Sequence, residues 1–220
     1  MTAKDRSIAK KIAYQHLNGP DLLGWFEVLY SQAGQDPSII PWADLSPNPN
    51  IVEWFDSSQP ALRGKALKIG CGLGDDAEEL ARRGFETTAF DISASAVAWC
   101  RRRYPRSSVR YVAADLFSAP CEWAGEFDFV LEAYTLQVLP PDIRAEAVRR
   151  IAAFVAGGGT LLVVARGREP GQSGGTMPWP LTVAEVSLFK AEGLAEVSFE
   201  DYLDREDPPV RRLRATYRRL

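Results

Sequence analysis

Gly70, Gly72 and Gly74 alternate with other residues just after an apolar stretch, and the acidic residue Asp91 follows 91 − 70 = 21 residues after the first of them. Glycine lets the backbone adopt positive φ angles and lets a ligand approach the main chain closely. The unpaired N–H groups at the start of a following helix favour an anionic group. A carboxylate about 20 residues after the first glycine binds ribose hydroxyls in nucleotide-binding β–α–β units. The spacing therefore predicts a site for a nucleotide-type ligand.

The elements around these residues have the order strand, glycine turn, helix, strand. The first strand is short and apolar at Ala66, Leu67 and Ile69, and residues 75–84 have the pattern of a helix that stops at a glycine. A second strand over residues 87–90 then ends on Asp91. An ordinary βα turn followed by a helix would show the same pattern, so the motif alone leaves that interpretation open.

The glycine spacing distinguishes between nucleotide-binding families. A dinucleotide fingerprint has glycine at the sixth position of G-x-G-x-x-G, where this chain has Asp75. The pattern G-x-G-x-G with an acid ending the second strand resembles motif I of the class I S-adenosylmethionine-dependent methyltransferases. The resemblance covers roughly residues 62–220 and implies that the glycine turn lies under the methionine part of the cofactor, while Asp91 holds the ribose. Lys68 departs from the family, which often has an acidic residue two positions before the first glycine.

The same resemblance assigns roles at the later strand ends. Asp115, after the third strand, would face the adenine amino group, and the N–H that follows would meet a ring nitrogen. Ile92 would form an apolar wall against the adenine, although Asp115 would also suit a simple turn. Ligands gather beyond the carboxyl ends of parallel strands, so residues 132–137 should lie closest to the methyl group and the acceptor. The residues expected to bind S-adenosyl-L-methionine are Gly70, Cys71, Gly72, Gly74, Asp91, Ile92, Asp115, Leu116 and Glu132.

Few side chains in this sequence could act as a general base. Glu132, Tyr134 and His16 are the candidates for catalysis, with Tyr14 as a further candidate base, and the chain has one histidine. His16 is far in sequence from the strand ends and could reach the acceptor only if the first helix covers the pocket. A thiol ionises readily near neutral pH, so a site with few bases favours sulfur as the attacked atom.

The segment before the glycine turn has two amphipathic helices, one over residues 7–17 and one from Leu22 to Tyr30. A proline-rich loop and a short third helix follow. Its aromatic side chains either attach these helices to the sheet or form a lid over the ligand. The Trp-rich region with its Pro-Trp element resembles the thiopurine, thiol and halide methyltransferase branch. The residues expected to contact the acceptor are Trp25, Tyr30, Trp42, Tyr134 and Trp179.

Helices alternate with strands along the rest of the chain, and two strands joined by Asp207-Pro208-Pro209 close it. This order predicts an α/β fold: a Rossmann-like, seven-stranded, mostly parallel sheet with helices on both faces and an antiparallel C-terminal hairpin. We expect an N-terminal helical lid at residues 1–60 packed on a methyltransferase domain at residues 61–220. We also expect the helix after Pro141 to run to about Val155, where Gly157, Gly158 and Gly159 would close it.

Composition narrows the class of protein. The 220 residues are 46% hydrophobic, enough for one substantial core, and the net charge of −3 argues against a surface built for nucleic acid. Three sparse cysteines lack metal-ligand spacing and favour a reducing compartment. The sequence has neither an apolar run long enough for a membrane helix nor the apolar core of a signal peptide. We therefore expect a cytoplasmic protein with a small-molecule acceptor, no metal, and neither nucleic acid nor membrane as partner.

The sequence-based hypothesis is methyl transfer to a small, apolar or aromatic acceptor, with S-methylation favoured over O- or N-methylation. An inactive, cofactor-binding partner subunit is the main alternative, and Lys68 keeps it open. A nicotinamide oxidoreductase is disfavoured by the missing third fingerprint glycine. A macromolecule methylase is disfavoured because residues 132–135 lack the N/D-P-P-Y/F tetrapeptide of amino-directed nucleic-acid methylases.

Overall fold

A sheet of seven strands lies at the centre of the computed structural model, which describes residues 7–17, 19, 21–57 and 63–220. The strand order is β3-β2-β1-β4-β5-β7-β6, with β5–β7 and β6–β7 antiparallel and the other pairs parallel. The expected Rossmann-like architecture with a C-terminal hairpin is confirmed. The strands are β1 Gly64–Ile69, β2 Phe85–Asp91, β3 Arg110–Ala113, β4 Phe127–Ala133, β5 Val155–Arg166, β6 Leu194–Leu203 and β7 Arg211–Arg219.

Helices cover both faces of the sheet, because alternate residues of the central strands point to opposite sides. On one face Leu67 and Val130 belong to the core cluster that contains Ile151. On the other face Ala66 and Leu131 belong to the cluster that contains Ile51, Trp54 and Leu80. The helices are α1 Ser7–His16, α2 Trp25–Ala33, α3 Pro49–Asp56, α4 Asp75–Arg82, α5 Ala94–Arg103, α6 Pro141–Ala153 and α7 Val183–Val186.

The parallel register brings the functional strand ends to one edge. Ile69 is paired with Phe90 of β2 and with Glu132 of β4. Asp91 is in turn paired with Ala113 of β3. The carboxyl ends of these four strands therefore meet, which is where a parallel sheet binds its ligands.

Two helix boundaries differ from the prediction. The second helix runs over Trp25–Ala33 rather than from Leu22 to Tyr30, since the Asp21 carboxylate accepts the Gly24 N–H (2.9 Å) ahead of it. The helix that begins at Pro141 ends at Ala153, before the glycines expected to close it.

Gly157, Gly158 and Gly159 lie inside β5 instead. The Ala153 and Phe154 carbonyls already accept N–H groups from Gly125 and Phe127, so pairing with β4 begins at the helix end. The register with β4 then shifts between Phe127 and Phe129. The expectation that the three glycines close the helix was therefore wrong, because strand pairing takes over the chain first.

The described residues before β1, namely 7–17, 19 and 21–57, are called the N-terminal segment below. Its buried side chains Trp25, Leu29 and Tyr30 pack with Ala96 and Trp99 of α5 in one cluster. The segment is thus attached to the edge of the sheet that holds the strand ends. The expected boundary between residues 60 and 61 lies outside the described residues.

The arginines of β7 form ion pairs within the protein. Arg212 is buried and pairs with Asp204 (2.6 Å) and Glu206, while Arg214 is buried and pairs with Glu200. These two arginines of β7 are therefore covered rather than exposed. Across the described ranges, we find no helix that is both long and apolar enough to cross a membrane.

Candidate active site at the carboxyl edge of the sheet

A cavity of about 1760 Å³ lies over the carboxyl ends of β1, β2, β3 and β4. Its floor is the glycine turn, and its upper wall comes from the N-terminal segment. The β6–β7 hairpin closes one end with residues such as Tyr202 and Arg212. The cavity is large enough for a nucleoside and a second small molecule together.

The floor of the cavity is built around Asp91. Its carboxylate is buried, and its two oxygens accept the backbone N–H groups of Gly72 (2.9 Å) and Ser93 (3.0 Å). Burial raises the pKa of Asp91, and the two N–H donors and the charge of Lys68 act against that rise. Each carboxylate oxygen can accept a second hydrogen bond, so Asp91 can hold a pair of ligand hydroxyls at the end of β2.

The glycines of the turn serve different purposes. Gly70 and Gly72 line the cavity with φ angles of 58° and 55°, whereas Gly74 does not border it. A Cβ on Gly74 would lie 2.6 Å from the Tyr111 hydroxyl oxygen. The third glycine of the motif is therefore required by packing between α4 and β3, although the sequence placed it with the ligand-binding residues.

Replacement of Gly70 by alanine should lower both stability and ligand affinity. The new Cβ would lie 2.5 Å from the Thr135 hydroxyl oxygen, and a positive φ strains any residue with a Cβ. We expect a loss of about 1–3 kcal/mol in the free energy of unfolding. Urea denaturation measures it, and Gly84→Ala is the control because a Cβ at Gly84 would meet nothing within 4 Å at a similarly positive φ of 95°. An equal loss in the two variants would assign the effect to backbone strain alone.

Near the ends of β2 and β3 the walls of the cavity are apolar. Ile92, Leu116 and Phe117 line it, and Ile92 is 36% exposed. Asp115 also lines the cavity, and its side chain accepts the Phe117 N–H (2.9 Å). Asp115 is thus a turn residue and a cavity residue at once, which leaves one carboxylate oxygen for a ligand.

Glu132 lies at the end of β4 but does not border the cavity. It is fully buried, and its Oε1 accepts the N–H groups of Thr135 (2.9 Å) and Leu136 (2.8 Å). Its Oε2 has no hydrogen-bond partner among the described residues, and burial raises its pKa to about 7. Thr135 in turn donates to the Ile69 carbonyl (3.2 Å). The carboxylate therefore holds the turn after β4 against the glycine turn.

Tyr134 borders the cavity in a strained backbone conformation, with φ at 64°. Its hydroxyl accepts from Asn50 (3.3 Å), the guanidinium of Arg212 lies 5.3 Å from its ring centre, and Tyr202 donates to Asn50 (2.7 Å). Burial raises the pKa of Tyr134 well above the ordinary tyrosine value, so the phenol stays protonated. A non-glycine residue held at positive φ beside a cavity is typical of a functional position.

Of the other predicted aromatic and basic residues, two line the cavity and the others do not. Tyr30 and Trp42 line the cavity, and the Trp42 indole donates to the Tyr30 hydroxyl (2.7 Å). Trp25 is fully buried in the N-terminal cluster, and Trp179 packs beside Arg144. His16 lies outside the cavity, where its Nδ1 is 3.1 Å from the Asp21 carbonyl oxygen.

Sequence reasoning missed several residues that line the cavity. Asn50, Tyr202 and Arg212 meet at Tyr134 although Asn50 and Tyr202 alone are 152 residues apart, and no local pattern marks them. Asp76 also lines the cavity and accepts the Asn48 N–H (2.9 Å). The pair Asp75-Asp76 at the start of the predicted helix is the sequence feature that marks this acidic position.

Lys68 is buried directly beneath the glycine turn. Its Nζ donates to the Ile69 carbonyl (2.8 Å) and the Gly70 carbonyl (3.4 Å) and lies 4.0 Å from the Asp76 carboxylate. The departure from the family pattern is therefore accommodated by main-chain oxygens and one acid. A buried ammonium with these partners is electrostatically satisfied.

Comparison with known proteins shows which proteins this part of the chain is similar to. Residues 66–159, which contain the glycine turn and the ends of β1 to β4, match the family model described as a methyltransferase domain. Residues 66–159 are therefore similar to a methyltransferase domain. The matched residues include the four strand ends that form the cavity floor.

Three proteins are compared with this chain, and two of them are similar to it in sequence. An uncharacterized methyltransferase of Mycobacterium tuberculosis is 34% identical over 124 residues, which is 56% of this chain and 60% of that protein. The ubiquinone biosynthesis O-methyltransferase of Pseudomonas aeruginosa is 30% identical over 127 residues, 56% of this chain and 53% of the relative. This chain therefore matches only a little over half of each relative's length.

The third similarity is structural. The N-methyltransferase NodS of Bradyrhizobium japonicum, solved in complex with S-adenosyl-L-homocysteine, superposes with a TM-score of 0.65 at 20% identity. The superposition covers 96% of this chain and 98% of NodS. This chain thus shares its fold with NodS.

Proposed function

We propose that the protein is an S-adenosylmethionine-dependent methyltransferase that acts on a small molecule. The observation that carries the proposal is the Asp91 carboxylate, buried at the end of β2 and bonded to the Gly72 N–H inside a methyltransferase domain. The fold that this chain shares with NodS supports the same cofactor.

The residues of the cavity fit this cofactor. Asp91 would hold the ribose hydroxyls, Ile92 and Leu116 would enclose the adenine, and Asp115 would accept from its amino group. The turn Gly70–Gly72 lines the cavity and would lie under the amino acid part. Glycine suits both positions because a Cβ at Gly70 would collide with Thr135 and one at Gly72 would come within 3.3 Å of Tyr30. Glu132 and Gly74 would support these residues from outside the cavity.

S-adenosylmethionine, when bound, supplies a methyl group on a sulfonium, so the transferred carbon is already activated. The chain must then orient the acceptor and exclude water. Orientation of two reactants supplies up to about 7–11 kcal/mol of the barrier. Tyr30 and Trp42 would cover the reacting groups from above, and Tyr134 would support the acceptor from the side of β4.

The finer proposal concerns the attacked atom. Among the four candidate bases, Glu132 does not border the cavity, and Tyr134 borders it but keeps its proton. His16 and Tyr14 are both outside the cavity lining. An acceptor that ionises without help, such as a thiol, suits a site in which none of these four residues acts as the base, since a general base is worth roughly 10²–10⁴-fold for an acceptor that holds its proton. Oxygen and nitrogen acceptors, as in the two named relatives of known reaction, are the alternatives.

The resemblance of residues 25–55 to the thiopurine, thiol and halide branch agrees with a sulfur acceptor and remains part of this proposal. An inactive partner subunit is the second candidate. Lys68 favours it, because its ammonium donates to the carbonyl of Gly70, a residue that lines the cavity.

Turnover distinguishes these two candidates. We expect S-adenosylhomocysteine to form when the protein is incubated with S-adenosylmethionine and a panel of aryl thiols, phenols and aryl amines, with the thiols fastest. Mass spectrometry of the methylated products identifies the attacked atom. Tight cofactor binding with no product from any acceptor class would favour the inactive subunit. Faster turnover of phenols or amines than of matched thiols would overturn the sulfur proposal.

A further inference from the structure

We propose that Glu27 is a positioning residue that makes docking of the N-terminal segment and binding of the cofactor one coupled event. This inference rests on the proposed function, because it concerns the same cavity. It assigns a role to a residue of α2 that is separated from the glycine turn in sequence but bonded to the turn that follows Asp91.

Glu27 reaches from α2 across to the N-terminus of α5. Its Oε2 accepts the Ser93 hydroxyl (2.7 Å) and the Ser95 N–H (3.1 Å), and its Oε1 accepts the Ser95 hydroxyl (2.5 Å). Although partial burial raises the pKa of Glu27, these donors hold it below the ordinary value. The carboxylate is therefore charged at neutral pH, and a negative charge stabilises a helix N-terminus.

Ser93 connects this contact to the cofactor site. Its hydroxyl accepts the Ala96 N–H (3.0 Å) while donating to Glu27, and its own N–H donates to Asp91 Oδ1 (3.0 Å). Asp91 Oδ2 in turn accepts the Gly72 N–H. One continuous chain of hydrogen bonds thus runs from α2 to the carboxylate that would hold the ribose.

The same segment carries the upper wall of the cavity. A Cβ placed on Gly72 would lie 3.3 Å from the Tyr30 hydroxyl oxygen and 3.9 Å from the Trp42 ring, so both side chains lie directly over the turn. Tyr30 is one helical turn beyond Glu27 in α2. Any displacement of α2 therefore moves the wall above the turn and releases Ser93 below it.

Coupling of this kind is reciprocal. If docking of α2 raises the affinity for the cofactor, then the cofactor must stabilise the docked α2 by the same factor. A residue that merely stabilises the fold would not link the two quantities. The coupling can therefore be measured either as a change in affinity for the cofactor or as a change in the stability of the docked α2.

The test compares Glu27→Ala with the wild type by calorimetric titration with S-adenosylhomocysteine and by hydrogen–deuterium exchange of the α2 amides. We expect the dissociation constant to rise about tenfold, within the usual range of coupling between sites. In the wild type the ligand should slow exchange in α2, and in Glu27→Ala this slowing should be largely lost. Ser95→Ala should weaken binding less, and the double variant should be no weaker than Glu27→Ala, since both changes remove one interaction.

Asp21→Ala is the matched control. Asp21 is an acid of the same segment whose carboxylate caps the start of α2 at Gly24. Loss of the Asp21 carboxylate should speed hydrogen–deuterium exchange at the start of α2. It should change the dissociation constant for S-adenosylhomocysteine less than twofold. Unchanged affinity and unchanged exchange protection in Glu27→Ala would overturn the inference while leaving the proposed function intact. A folded wild type that does not bind S-adenosylhomocysteine would overturn the proposed function and this inference with it.

Discussion

Asp91→Ala should bind S-adenosylhomocysteine at least about 100-fold more weakly than the wild type, with the sheet still folded. A hydrogen bond to a charged group contributes about 1.5–3 kcal/mol, and Asp91 would accept two from the ribose. Two such bonds amount to about 3–6 kcal/mol, and each 1.4 kcal/mol is about a factor of ten in affinity. The substitution also leaves the Gly72 and Ser93 N–H groups without their acceptor, which loosens the glycine turn.

Titration calorimetry measures the affinity, and circular dichroism with thermal unfolding verifies the fold. Asp91→Asn keeps one carbonyl acceptor but turns the other oxygen into a donor, so it should be intermediate. Glu86→Ala removes an exposed carboxylate from the same strand and should change nothing. A dissociation constant for Asp91→Ala within threefold of the wild-type value would remove Asp91 from the cofactor site.

Glu132→Gln should make the protein more stable than the wild type at pH 8, by about 3 kcal/mol, and about equally stable near pH 4. Burial raises the pKa of Glu132 from 4.5 to about 7, so the folded state holds a proton that the unfolded state has released between these values. The wild type therefore loses stability as the pH rises through this window. The difference of about 2.5 in pKa corresponds to about 3 kcal/mol. Glutamine keeps the Oε1 acceptor for Thr135 and Leu136 and cannot ionise.

Urea denaturation of both proteins across pH 4 to 8 measures this difference directly. The difference between the two proteins isolates Glu132, because burial also raises the pKa values of Asp76 and Asp91. Glu79→Gln is a control whose effect on stability should have the opposite sign. Burial raises the pKa of Glu79, but hydrogen bonds from Arg82 and Arg83 hold it below the ordinary value. That variant should be less stable than the wild type at neutral pH, and its deficit should shrink as the pH falls through the lowered pKa of folded Glu79. A pH-independent difference for Glu132→Gln would contradict the account of Glu132.

The parts of the molecule that could be predicted from sequence depend on local patterns. The order of strands and helices, the turn after β1 and the acid at the end of β2 each lie within a few residues of a glycine or an apolar run. Parallel register then brings Gly70, Asp91 and Asp115 to one edge without further information. For that reason most of the residues predicted to bind the cofactor border the cavity, whereas Gly74 and Glu132 do not.

The rest depends on contacts between distant parts of the chain. Tyr202, Asn50 and Tyr134 are joined across up to 152 residues, and Glu27 meets Ser95 across 68 residues. The type of a residue also does not show whether its side chain borders the cavity or is buried away from it. Glu132 has the same chemistry at the end of its strand as Asp91, but it turns away from the cavity to hold the next turn.

Calorimetric titration of the wild-type protein with S-adenosylmethionine and S-adenosylhomocysteine tests the central claim most directly. The account predicts one site per chain for each ligand, with the demethylated product bound comparably tightly, and competition between the two. Adenosine should bind more weakly, since it lacks the amino acid part that would contact the glycine turn. A folded protein that takes up neither ligand would contradict the assignment of this cavity as a methyltransferase cofactor site.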